Sequence, residues 1–235
     1  MPIGINKVAR NSQISDSGGS AIPDSVVFYN SGNLNDFDGN AAQYSTTQTN
    51  VIEGSHAAEA NSSNFNEPIF SESGLPNYPA KGDVFASLLR SGNSGSASGF
   101  GFGGSYATKT DYDAYEINMN LDNDKFRIRK LTNGSFDFNL ATGSITTSEG
   151  EWLDFEVEWH DGSGSEPDNT IVARAYSVDE NTFDPAADPS TYRTQLSEIS
   201  VTDSSYATQT GIHVNSPSGG QTGAINDFYR LLGSV

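Results

Sequence analysis

An all-β chain, folded as a two-sheet antiparallel jelly-roll sandwich behind an extended N-terminal arm, is what this sequence predicts. Three observations predict it. From Val26 onward, short apolar or alternating runs are separated by clusters of Gly, Asn, Asp and Ser, the pattern of half-buried strands joined by turns. No segment sustains the 3.6-residue spacing of an amphipathic helix. The runs number thirteen over 235 residues, which suits a jelly roll better than a seven-stranded immunoglobulin sandwich.

The elements follow in order. Residues 1–24 are polar, contain "SDSGGS" and reach Pro23, a composition that orders only against a partner, so they are expected to form a docking arm. Residues 25–235 then form the jelly-roll domain. Strands are expected at 25–30, 42–49, 56–61, 83–90, 98–104, 113–121, 125–131, 135–141, 152–160, 169–177, 198–203, 210–215 and 225–232, because each alternates or concentrates β-branched and aromatic residues between turn signals. "DND" at 122–124 and "NGS" at 133–135 are expected to close tight hairpins. Tyr115, Ile117, Met119 and Leu121 should line one core face, which Phe126, Ile128, Phe136, Phe138 and Leu140 continue.

Charge narrows the function. Twelve basic residues against thirty acidic ones leave a net charge of -18, without the basic surface that nucleic-acid binding needs. At about 1 M salt the Debye length falls to about 3 Å, where such a surplus is harmless and keeps the surface hydrated. With only five lysines, this is the expected profile of a protein that works in brine. There is no cysteine, hence no disulfide and no thiolate site. The N-terminus lacks an apolar signal-peptide core and nowhere do 18 apolar residues run together, so neither the usual export route nor membrane insertion is expected.

The strand "GEWLDFEVEWHDG" carries the sharpest chemical question. Leu153, Phe155, Val157 and Trp159 alternate with Asp154, Glu156, Glu158 and His160, so three carboxylates and an imidazole share one face. Paired carboxylates about 5 to 5.5 Å apart perform retaining glycoside hydrolysis, and neighbours at i and i+2 stand about 6.6 to 7 Å apart at Cα. The expectation is nevertheless that these acids are exposed and hydrate the surface. His56, His160 and His213 are the only histidines, and a lyase would need one beside a Tyr, as His213 stands near Tyr206. For binding, Tyr44, Tyr78, Tyr106, Tyr112, Tyr192 and Tyr206 fall in or beside loops, where rings can stack on sugars. Tyr78, Tyr106, Tyr112 and Tyr206 are the glycan-binding candidates.

The order of pieces resembles the concanavalin A-like superfamily, in particular its laminin-G-like jelly rolls. The resemblance rests on "NLNDFDGNAAQYSTTQTNVIEGSHAAEAN" as an opening with its hairpin at Gly54, Ser55 and Ala57, "YPAKGDVFASLLR" as the long strand after a turn, "GEWLDFEVEW" as the central strand, and "AINDFYRL" as the closing strand. It covers residues 26–235. Calcium between the first and last strands is what this resemblance implies, with Asp36, Asp38, Asn40 and Asp227 as ligand candidates. Laminarinase-type glycosidases of the superfamily carry E-x-D-x-x-E, whereas the acids here are spaced by two and two, so catalytic residues are not expected. Acidic jelly rolls with a short arm are also similar to surface proteins of haloarchaeal tailed viruses, such as turrets, fibres and spikes. That implies a non-enzymatic virion surface protein, a homo-oligomer (trimer or pentamer) docked to other virion proteins by its arm, with a host-surface glycan as ligand. A secreted glycoside hydrolase or polysaccharide lyase, and a free lectin-like cell-surface module, are the alternatives.

Overall fold

Alternation of apolar and polar side chains builds two sheets with distinct inner and outer faces. The computed structural model describes residues 26–28, 38–39, 44–49, 51–52, 56–60, 69–71, 79–91, 97–108, 111–206, 212–215, 224–225 and 227–235. Among them the strands are β1 (Val26–Phe28), β2 (Asp38–Gly39), β3 (Tyr44–Thr47), β4 (Ala57–Ala60), β5 (Ile69–Ser71), β6 (Asp83–Arg90), β7 (Ala97–Thr108), β8 (Asp111–Asn120), β9 (Lys125–Thr132), β10 (Ser135–Ser144), β11 (Trp152–Trp159), β12 (Thr170–Val178), β13 (Arg193–Thr202), β14 (Ile212–Asn215), β15 (Ala224–Ile225) and β16 (Asp227–Ser234). No α-helix occurs among the described residues, only one-turn 3-10 segments at Leu121–Asn123 and Pro189–Thr191. The fold is the predicted all-β jelly-roll sandwich.

Sheet A runs β13-β12-β11-β6-β15-β4-β3, with β16 also pairing β6 and β1 pairing β16; sheet B runs β10-β9-β8-β7-β14-β5-β2. Phe85, Leu153, Phe155, Val157, Trp159 and Ile171 from sheet A meet Phe100, Phe102, Tyr115, Ile117, Met119, Phe126 and Ile128 from sheet B in one buried cluster. Its aromatic rings pack edge to face, Phe102 against Phe85 at 5.0 Å and against Trp159 at 5.4 Å. Each such side chain contributes about 1.5 to 3 kcal/mol by leaving water, so this layer holds the sheets together. The segment after β13 latches them at one end. Tyr115 Oη donates to Asp203 Oδ1 at 2.6 Å, Tyr206 N donates to Tyr115 Oη at 3.0 Å, and Tyr206 Oη donates to the Leu131 carbonyl at 2.6 Å.

Three expectations need correction. Phe136 and Phe138 are not core: they are 50% and 45% exposed. For Phe136 a bulge is the reason, since Phe136 pairs with Leu131 but Phe138 with Lys130, so two residues that would share a face of a regular strand point to opposite sides, Phe136 outward. Second, "DND" does join β8 and β9 as a hairpin, but through the four residues 121–124 and not a two-residue turn. A two-residue loop of the usual hairpin type needs positive φ at both central residues, and here only Asp124 takes it (φ 51°), after a 3-10 turn. "NGS" does behave as expected, with Asn133 at φ 51° and Gly134 at φ 69°. Third, the strand expected at 225–232 is divided between β15 and β16, and the short β2 and β5 have no counterpart among the thirteen predicted runs.

Candidate functional site

The outer face of sheet A displays the acidic row of β11, and the structure overturns the expectation that these acids hydrate the surface. Asp154 is 0% exposed and Glu156 7%. The register explains it: β12 sets Arg174 opposite Glu156 and Tyr176 opposite Asp154, while Arg193 starts β13 opposite Val178. Arg193 bridges Asp154 Oδ2 (2.6 Å) and Glu156 Oε2 (2.5 Å) and lies 4.0 Å over the Tyr176 ring. Arg174 reaches Glu158 Oε1 (2.6 Å), Glu156 Oε1 (3.2 Å) and Glu198 Oε2 (2.6 Å). Tyr176 Oη donates to Glu156 at 3.3 Å, and His160 Nε2 stands 3.3 Å from Glu158.

Proton chemistry is poorly served by this ladder. Burial alone would raise the Glu158 pKa, but the hydrogen bond and charge of Arg174 outweigh it and hold the carboxyl below its ordinary value. A general acid at neutral pH needs the opposite shift. Burial and Glu156 together push the Tyr176 phenol up to about 12, so it stays a donor. One end of this face is sealed by a second apolar cluster, in which Trp152, Leu88, Val178 and Tyr192 pack with Phe183.

Sheet B presents a different outer face. β7 contributes almost no side chains there: Gly101 pairs with Glu116, Gly99 with Asn118 and Ala97 with Asn120. A Cβ on Gly99 would stand 2.0 Å from the Ile117 carbonyl oxygen, so only glycine fits. Across β8 and β9 the pairs continue as Glu116 with Arg129, Asn118 with Arg127, and Asn120 with Lys125. β10 completes the three rows with Asn139, Thr142 and Ser144. All three of these are exposed.

The polar groups of this face are only partly satisfied. Arg129 Nη1 meets the buried Glu116 Oε1 at 3.0 Å, and its guanidinium lies 4.4 Å over the ring of half-exposed Phe136. These three, with Tyr112, Leu131, Gly134 and Ser135, line a cleft of about 170 Å³. Burial, then the charge of Glu116, raises the Tyr112 phenol pKa. Asn118 is 0% exposed, and both its Nδ2 and its Oδ1 lack a hydrogen-bond partner, as does Asn120 Oδ1. An unmade bond of this kind costs about 1 to 3 kcal/mol. The other unpartnered buried atoms among the described residues are Trp159 Nε1 in the core and His160 Nδ1 at the end of β11. An exposed ring beside a fixed ion pair in a cleft can take a ligand that has both an apolar face and hydrogen-bonding groups.

The residues singled out from sequence scatter. Tyr112 is the second residue of β8, beside the connection from β7; it is 4% exposed and lines the cleft. Tyr192 is buried in the sheet A cluster. Tyr206 is half-buried and holds the inter-sheet latch through its hydroxyl. Tyr106 lies in β7 opposite Tyr112 and Tyr44 in β3 opposite Ala60, while Tyr78 falls outside the described residues. Of the calcium candidates, Asp38 is in β2 of sheet B and Asp227 in β16 of sheet A; Asp36 and Asn40 fall outside the described residues, as do residues 1–24. Among the described residues no group of three His, Cys, Asp or Glu side chains is placed to hold a metal ion. Sequence reasoning passed over Glu116, Asn118, Arg127, Arg129 and Phe136. The signal was present in "KFRIRKL", which alternates cations in an acidic chain, and in the spaced glycines of "SGFGFGG".

No family profile matches the sequence, and no curated protein is significantly similar to it. Solved structures are similar in fold. The marine PL-14 alginate lyase of Aplysia kurodai is 10% identical, with a TM-score of 0.52 over 82% of this chain and 88% of its own. The exoplasmic/lumenal domain of VIP36, in its Ca2+/Man3GlcNAc-bound form, is 9% identical, with a TM-score of 0.52 over 92% and 91%. The carbohydrate-binding module CBM66 from Bacillus subtilis is 13% identical, with a TM-score of 0.48 over 84% and 97%. At these identities the likeness is one of architecture: this chain folds as an antiparallel jelly-roll sandwich.

Proposed function

We propose that this chain is a glycan-binding module whose site is the outer face of sheet B at the Phe136 cleft. One observation carries the reading: a half-exposed aromatic ring, stacked on the guanidinium of the Arg129–Glu116 pair, lines a cleft with Tyr112 and Ser135. Sugars offer a C–H face for the ring and hydroxyls for the donors and acceptors around it. The fold supports this without fixing it, because it is shared by a domain solved with Man3GlcNAc and by an alginate lyase. Binding rather than catalysis is favoured by the arginine-held acids of β11. Screening on a glycan array, followed by calorimetry of the hits, tests the reading; F136A should weaken binding about tenfold or more, as expected for a lost stacking contact. Glycan cleavage that is lost in E156Q would instead make the chain an enzyme.

The setting we propose is the surface of a virion or a comparable assembly in brine, with residues 1–24 docking a cyclic homo-oligomer. Its support is the sequence alone, through the net charge of -18 and the scarcity of lysine. Calcium remains part of this proposal through Asp36, Asp38 and Asp227. Molar NaCl should raise the melting temperature, and deletion of residues 1–24 should release monomers. A melting temperature indifferent to salt removes the brine setting.

A further inference from the structure

We infer that the outer face of sheet B is built for an acidic glycan, one whose sugars carry carboxylate groups; this rests on the glycan-binding reading and specifies its ligand. Charge placement carries it. In a chain with thirty acids and twelve bases, β9 alone holds Lys125, Arg127, Arg129 and Lys130. Lys125, Arg127 and Arg129 alternate, so they share the outer face at a spacing of about 6.8 Å. Only Arg129 has a carboxylate partner, the buried Glu116. Arg127 donates to the neutral Asn123 Oδ1 at 3.1 Å, and neither it nor Lys125 has an ion pair among the described residues.

The distribution is the reverse of that on sheet A, where Asp154, Glu156, Glu158 and Glu198 share two arginines. With acids so abundant, pairing these cations internally would have been the simple solution. They are instead left crowded: burial and the neighbouring Arg129 both lower the Arg127 pKa. A bound anion relieves that crowding. Guanidinium groups pair with carboxylates through two parallel hydrogen bonds, which favours a carboxylated sugar over a neutral one. Beside the charge, in the rows of Arg127 and Lys125, the exposed Thr142 and Ser144 of β10 offer hydroxyls to a sugar.

Calorimetry on the full chain in 0.15 M and 1 M NaCl tests this with three probes: a polyuronate hexamer, a neutral β-glucan hexamer and dextran sulfate. The polyuronate should bind about tenfold more tightly than the neutral glucan, and R127Q should lose about that factor for the polyuronate while leaving the glucan unchanged. K125Q should act in the same direction, and unaltered melting of both variants shows that the fold is intact. F136A should weaken both hexamers. Equal affinity for the two hexamers, or indifference of the polyuronate to R127Q and K125Q, overturns the acidic-glycan inference and leaves glycan binding standing. Binding of dextran sulfate alone, lost at 1 M NaCl, also overturns it, as a simple polyanion effect. No binding of either hexamer, with no array hit, overturns both readings.

Discussion

The two outer sheet faces solve the same problem in opposite ways. Both place buried charge on strands that alternate with the core. On sheet A two arginines tie four carboxylates into one lattice, which includes the acids that looked most like catalysts. On sheet B one buried carboxylate meets one arginine, and the amides beside it are left without partners. Satisfied buried networks rigidify a sheet, whereas unsatisfied ones mark where an outside partner completes the bonding. The difference separates scaffold from site more reliably than the mere presence of acids.

Breaking the sheet A lattice should have the largest effect. Arg193→Ala removes the cation shared by the buried Asp154 and Glu156, and about 3 to 5 kcal/mol of stability should be lost in urea unfolding. A loss under 1 kcal/mol would show that the lattice does not hold the sheet. On sheet B the sign should reverse. Asn118→Leu removes two unpartnered polar atoms without emptying the space, so stability should rise by about 1 to 2 kcal/mol while glycan affinity falls. If this variant is both less stable and fully active, the amide is not kept for a ligand.

Acid should separate the faces further. Glu158 and Asp203 both lie below their ordinary pKa values of 4.5 and 3.8; in each, burial acts upward and is outweighed, by Arg174 for Glu158 and by the Tyr115 hydroxyl for Asp203. Such a carboxyl takes up its proton later in the folded than in the unfolded chain. Its contribution is therefore complete above its unfolded value and is lost as pH falls through the folded one. Melting temperature should hold down to about pH 5 and fall below it, and Glu158→Gln should flatten that fall. The smallest effect belongs to Phe136→Ala, whose half-exposed ring should cost no more than about 0.5 kcal/mol in unfolding even as binding is lost.

Much of the architecture was legible because period-2 alternation is a local property. β6 was placed to the residue, and the core of β8 and β11 followed from Tyr115, Ile117, Met119, Leu153, Phe155 and Val157. What escaped was relational. Nothing in β11 itself says that Arg174 and Arg193, 16 or more residues away, will neutralise its acids; that depends on the registers of β12 and β13. Phe136 was assigned to the core because strict alternation puts it beside Phe138, and only the bulge sends the two rings apart. The site is therefore carried by a departure from the pattern that made the fold readable.

Gly143 has a consequence for how copies of this chain meet. A Cβ there would stand 2.6 Å from Ile199 Cγ2, so the outermost strands of the two sheets, β10 and β13, close directly over each other on one side of the sandwich. β10 also carries two register shifts, and bulges spoil the straight row of free amides that strand addition requires. Growth of either sheet into a neighbouring molecule along this side is disfavoured. Assembly at high local concentration would then have to use loops or faces, which keeps a crowded array of such domains from knitting into a continuous fibre.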